Sequence, residues 1–292
     1  MNFLKLYLVV VCTVALIISC SQNEISTKEG TQVSATLKFQ HSLGLGDLLE
    51  LTDTKSQKQS LTLDKFKYLI SEVQFTTNDN ENITLSNNDA AQLIDLDFAD
   101  ESNTVTVHLT DVPVGDYKSV SFGIGVSQEV ANGSTEEQTK LMDLAEQDMQ
   151  WAWNPNAYVF SKIEASNLNT ESTVPTDLQV HIGNKGSFVG YRTVTMVFPE
   201  TLSLDSKVSP SLHITVAIEK IFAPENPSKS VAFDAIGAHG GSSDVTSNFA
   251  DNFASIFQVH HIHPTEQAIY LEDVAEGLNA NEDSSSHTHS HE

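Results

Sequence analysis

Apolar and polar residues alternate with a period of two along most of this chain, and that pattern predicts strands. Val33, Ala35, Leu37 and Phe39 alternate with Ser34, Thr36, Lys38 and Gln40, as in a strand buried on one face. His41 keeps the parity of the apolar set, which points it inward or toward the rim. Phe66, Tyr68 and Ile70 begin a second strand whose parity slips before Val73 and Phe75, the mark of a bulge near Ser71. The polar run 78–82 is a turn into Ile83 and Leu85, giving a hairpin, and 93–98 reads as a short strand. Val105, Val107 and Leu109 point inward from 104–110, leaving His108 outside; Pro113 and Gly115 then turn the chain into 117–126. Segments 178–182 and 189–198 read as a hairpin around Gly183 and Gly186, and 211–222 as the last long strand, with His213 outside. Residues 135–148 suit one short helix, and 248–257 a second with Phe249, Phe253, Ile256 and Phe257 as its buried stripe. Short strands separated by turns predict an all-β fold, an immunoglobulin-like antiparallel β-sandwich with one or two short helices.

Between 149 and 164 the alternation gives way to a stretch that holds both tryptophans, Trp151 and Trp153, at a spacing that puts both indoles on one side of an extended segment. The plainest role for them is to plug one end of the sandwich core.

The ends of the chain carry other signals. Residues 6–18 form an apolar run after Lys5, too short to span a bilayer but suited to a signal-peptide core. It runs into Ile17-Ile18-Ser19-Cys20, which resembles a bacterial lipobox with Cys20 as the lipidated residue. The expected organisation is a signal peptide at 1–19, a linker at 20–31, one domain at 32–264 and an acidic, histidine-containing tail at 265–292. The expected address is the cell envelope, anchored by lipid to the outer membrane on its periplasmic or surface face. Removal of the leader takes Cys12 with it, so the domain must be stable without a disulfide.

Charge narrows the partners. With 39 acidic and 15 basic residues the formal net charge is −24, and no Lys or Arg follows Lys229. Nucleic acid is excluded by repulsion, and membrane attachment falls to the lipid. The acids around Asp95, Asp97, Asp100 and Glu101 lack the glycine and spacing of a calcium loop and read as a solvated turn. No nucleophile elbow, zinc-protease motif, reactive thiol or dinucleotide fingerprint is present, so a non-enzymatic role is expected. Histidines are the remaining chemistry: His41, His108, His181 and His213 along the body, then His239, His260, His261 and His263, and His287, His289 and His291 in the tail. Imidazole suits copper, zinc and nickel, and the tail can chelate only loosely.

Three segments together resemble the MbnP family, copper-binding proteins of the bacterial envelope. They are Tyr68-Leu69-Ile70-Ser71-Glu72-Val73, then Leu109 to Tyr117 with Phe122-Gly123-Ile124-Gly125-Val126, and Met149-Gln150-Trp151-Ala152-Trp153 leading into Tyr158 to Glu164. The resemblance implies a β-rich domain that binds copper(I), a tryptophan, Trp151 or Trp153, oxidised to kynurenine, and a diheme peroxidase-like partner enzyme. It also implies His41, His181 and His239 as metal ligands. A surface lipoprotein that binds a glycan or protein through its tryptophans is the alternative from a different class.

Overall fold

The computed structural model describes residues 32–85, 91–131, 141, 147–151, 154–167, 177–184, 188–205, 209–239 and 243–266. Cys20, Trp153, the tail histidines and most of the 135–148 helix expected from the sequence lie outside them.

In chain order the strands are β1 (Gln32–His41), β2 (Leu48–Thr52), β3 (Lys58–Thr77), β4 (Asn82–Thr84), β5 (Gln92–Asp95), β6 (Thr104–Pro113) and β7 (Gly115–Ile124). After the short helix α1 (Gln128–Ala131) come β8 (Gln150–Trp151), β9 (Asn154–Ser166), β10 (Leu178–Gly183), β11 (Arg192–Leu204) and β12 (Ser209–Val216). Helix α2 (Ser243–Ala254) and β13 (Phe257–Glu266) follow. Two sheets result. One has four strands in the order β13-β12-β1-β6; the larger follows β10-β9-β3-β7-β11, with β2, β4 and β5 paired to β3 and β8 to β9. The fold is an all-β sandwich in which the β1–β12 pair alone among the described ladders runs parallel.

Strand β3 is the spine of the larger sheet, because its 20 residues pair in turn with β2, β9, β5, β7 and β4. The expected slip is present: the register against β7 shifts between Ser71 and Gln74, and Glu72 has φ of 52°. Tyr117 pins the β6–β7 turn by donating its hydroxyl to the Pro113 carbonyl at 2.7 Å.

Between the sheets, Phe39 and Phe257 meet Tyr68 and Phe122 edge to face, at centroid distances of 5.4 to 6.3 Å. Helix α2 adds Phe249 and Phe253, and Phe253 stacks on Phe66 at 5.7 Å. This helix starts earlier than the sequence pattern suggests and ends at Ala254, since Phe257 opposite Val216 already belongs to β13.

Three expectations need correction. Segments 178–182 and 189–198 are not a hairpin: β10 pairs with β9 and β11 with β7, at opposite edges of the larger sheet. A glycine-rich turn permits a hairpin, but pairing goes to whichever edge lets the apolar residues cover the core. Leu178, Val180 and Ile182 do so beside β9. The 211–222 strand stops at Val216, where a 3-10 turn, Ile218–Ile221, begins. Likewise 93–98 is a short strand followed by a 3-10 turn capped by Asp95, whose carboxylate is held by Lys67 at 2.6 Å.

His41 faces the sandwich interior. Its Nδ1 bonds to the Asn103 carbonyl at 2.9 Å, its Nε2 lies 3.3 Å from the Tyr68 hydroxyl, and its ring packs on Phe66. Burial lowers its pKa from 6.5 to about 4, against the opposing pull of the Asn103 hydrogen bond. Between those values the unfolded chain takes up a proton that the native protein refuses, so stability falls as pH drops through that window. From about pH 7 to about pH 4.5, the loss of unfolding free energy should be larger in the wild type than in His41→Gln by ~2 kcal/mol. Urea denaturation of both proteins at the two pH values measures it, and equal losses would show that His41 does not titrate this way.

Candidate functional site

The outer face of the larger sheet carries a second apolar cluster. Trp151 pairs with Asn154 and Gln150 with Tyr158 across the β8–β9 hairpin, and the Val159 N–H donates to the Met149 carbonyl at 2.9 Å. Met149 and Trp151 are buried with Leu69, Val126, Leu141 and Phe160. Leu69 stands between Tyr68 and Ile70, which face the sandwich interior, so this cluster lies on the opposite side of the sheet. Trp151 therefore does not plug the inter-sheet core, as its spacing suggested; it roofs the sheet from outside. Gly125 makes the close packing possible. Its φ is +96°, its N–H donates to the Leu69 carbonyl at 2.8 Å, and a side chain there would strike the Phe160 ring.

Two histidines reach this roof. On β10, Val180 and Ile182 face the core, so His181 points outward, opposite Lys162 of β9. The His181 N–H donates to the Ala238 carbonyl at 3.0 Å, and this bond brings the next residue, His239, alongside. The ring of Trp151 lies 5.3 Å from His239 and 6.5 Å from His181, and the two imidazoles are 6.0 Å apart. Gly183 sets how near Trp151 can come: a Cβ there would collide with the Tyr158 carbonyl and sit 3.2 Å from the indole Nε1.

Charged side chains on β9 and beside it tune the site. Glu164 accepts from His181 Nε2 at 2.8 Å. A carboxylate only accepts, so Nε2 carries the proton and Nδ1 the lone pair, the arrangement usual for a metal-ligating histidine. The His181 pKa is lowered: desolvation and the charges of Lys162 and His239 outweigh the upward pull of Glu164. The ring is thus neutral, as a ligand must be. Lys162, 4% exposed, bonds to the Asp148 carboxylate at 2.5 Å and to its carbonyl at 2.7 Å, and Lys65 bridges Asp148 and Glu164 at 3.4 and 3.6 Å. Burial pushes the Asp148 carboxyl up, but Lys162 and Lys65 together hold it below the usual range.

The structure thus gathers Trp151, His181 and His239 and leaves out His41. His41, on β1 of the four-stranded sheet, packs against Phe66 and Tyr68 on the inner face of the larger sheet, while the other three lie on the outer side of that larger sheet, which stands between them. Its two ring nitrogens are also engaged, by Asn103 and Tyr68. Glu164, Lys162 and Gly183 were not singled out as site residues by sequence. The alternation of Lys162 and Glu164 with Ile163 and Ala165 places both on one face, but only the strand register sets them beside His181. Trp151 is 6% exposed, which leaves little ring for a sugar to stack on.

No curated protein matches this chain. MbnP from Methylosinus trichosporium is a similar solved structure, at 13% identity and a TM-score of 0.44, with 73% of this chain and 82% of that one covered. The family model for MbnP matches residues 32–238, from the first residue of β1 to one residue short of His239. With that match covering most of its length, the chain belongs to the MbnP family.

Proposed function

We propose that this protein is a lipid-anchored envelope protein that binds copper(I) on the outer face of its larger sheet and hands it on, with no turnover of its own. The observation that carries this reading is the meeting of two imidazoles from distant segments, His181 and His239, at the buried indole of Trp151. The donor set fits: imidazole nitrogen suits copper, and His181 is neutral with its other nitrogen bound to a carboxylate. Copper bound there would supply a soft acceptor site for transport. His181 and His239 would hold it, Glu164 would orient His181, and the apolar roof around Trp151 would limit water. Trp151 or Trp153 is the proposed site of kynurenine formation: a diheme partner enzyme, with peroxide or dioxygen as oxidant, would cleave the indole C2–C3 bond, release C2 as formate and leave a ketone and an aryl amine as further donors. Cys20 is the proposed lipid attachment. Among the described residues no helix is long and apolar enough to cross a membrane.

The test is anaerobic copper(I) competition against a chelator, using the full chain with His287→Ala, His289→Ala and His291→Ala to silence the tail. His181→Ala and His239→Ala should each weaken binding by at least about tenfold, ~1.4 kcal/mol, and Glu164→Gln by a similar factor. Unchanged affinity in both histidine variants would sink the reading, and an intact Trp151 peptide mass in protein from its native host would remove the kynurenine. Because the His181 pKa is lowered, affinity should hold to below the ordinary imidazole range before protons displace the metal.

Gly183→Ala addresses the packing. The added methyl should push Trp151 from the imidazoles, costing about 1–3 kcal/mol of stability and reducing copper affinity. A melting temperature and affinity equal to wild type would show that Trp151 is not held by this contact.

A further inference from the structure

Five other histidines lie on the opposite side of the sandwich, on the outer face of the four-stranded sheet, four of them on β12 and β13. On β12, Leu212 and Ile214 are fully buried, so His213 between them faces outward. On β13, Val259 and Ile262 pack inward, which by simple alternation would leave no way for both 259 and 262 to share a face. A bulge resolves this. His213 is opposite His261 and Ile214 opposite Val259, so His260 is an extra residue, and both His260 and His261 emerge on the outer face with His263.

The consequence is a cluster of imidazoles on two hydrogen-bonded strands. The His213 ring stacks on His261 at 4.4 Å and meets His263 at 4.8 Å, and His261 and His263 are 4.5 Å apart. One ring nitrogen from each of the three lies within 4.8 Å of the others, and the Nε2 atoms of His261 and His263 are 2.9 Å apart. Donors placed about 2.0–2.1 Å from a tetrahedral ion are separated by roughly 3.4 Å, so small side-chain rotations suffice to converge on one. His213 and His261 are half-buried, and β12 is an inner strand of its sheet, which holds the donors on a rigid base. His108 shares this outer face but lies three strands from His263, through Ser211 and Thr36, or about 14 Å away.

We propose that His213, His261 and His263 form a second metal site, separate from Trp151, that takes a divalent borderline transition ion such as zinc or nickel. Three imidazoles without thiolate or carboxylate match that class, and further coordination positions are left to solvent. The net charge of −24 raises the local concentration of cations around the domain. The site is built from the bulge as much as from the residues, because strict alternation continued from Val259 through His260 would turn His261 and His263 inward.

The experiment is calorimetric titration of zinc and nickel into the full chain carrying His287→Ala, His289→Ala and His291→Ala. In that background, His213→Asn and the double variant His261→Asn/His263→Asn should each weaken divalent binding by at least about tenfold. Copper(I) affinity should survive in the double variant. Because His263 is exposed, a His263→Asn single variant that melts as wild type supplies the measurement if either other variant fails to fold. Zinc and nickel affinity unchanged from the tail-silenced parent in both His263→Asn and the double variant would overturn the proposal, as would loss of copper(I) binding in the double variant.

Discussion

The four rings that meet between the sheets, Phe39 and Phe257 from one side and Tyr68 and Phe122 from the other, are the contact on which the rest of the domain depends. Removing a buried aromatic side chain of this kind costs about 3–5 kcal/mol, a large fraction of the roughly 5–15 kcal/mol stability margin of a domain. The commitment of these residues to the interior fixes the facing of every strand that carries them. In a strand the next residue must then point out, so the same packing that closes the core dictates what is displayed on both outer surfaces.

Histidine shows how strongly that facing decides chemistry. His41 is on the inner face, where an imidazolium would be without water, and its ring is neutral and engaged by Asn103 and Tyr68. His181 is on an outer face, also neutral, but one nitrogen rests on Glu164 and its neighbours are an indole and a second imidazole. The first arrangement makes a structural residue; the second is the one that a donor needs. Across the sandwich, His213, His261 and His263 form a group without an aromatic roof, closer to solvent and better matched to harder ions than to copper(I).

The charged side chains around the Trp151 roof belong to the same logic. Lys162 is on the outer face yet almost wholly covered, and Asp148 meets it with both its carboxylate and its carbonyl. A buried ammonium without such a partner would be strongly destabilising, so Asp148, at φ of 67°, holds a strained backbone that fits the charge beneath it. Lys65 ties Asp148 to Glu164, and through Glu164 to His181, making the orientation of the His181 ring part of the sheet's own ion pairing.

Period-two alternation in the sequence was enough to set the all-β class, the inward set of β1, β6 and β7, the outward facing of His108 and His213, and the slip at Ser71. It also placed His41 on the apolar parity, but the opposite facing of His181 was read only from the structure. Local pattern could not choose partners: β10 and β11 read as a hairpin and lie at opposite edges, because pairing is decided by which faces remain to be covered. Nor could it foresee β13, whose bulge breaks the alternation that strand reading relies on. The gathering of Trp151, His181 and His239 was likewise a tertiary outcome, since a hydrogen bond from His181 to Ala238 links residues far apart in sequence. Facing is a property of neighbouring residues and is written in the chain; proximity between remote strands follows only from burying every apolar face at once.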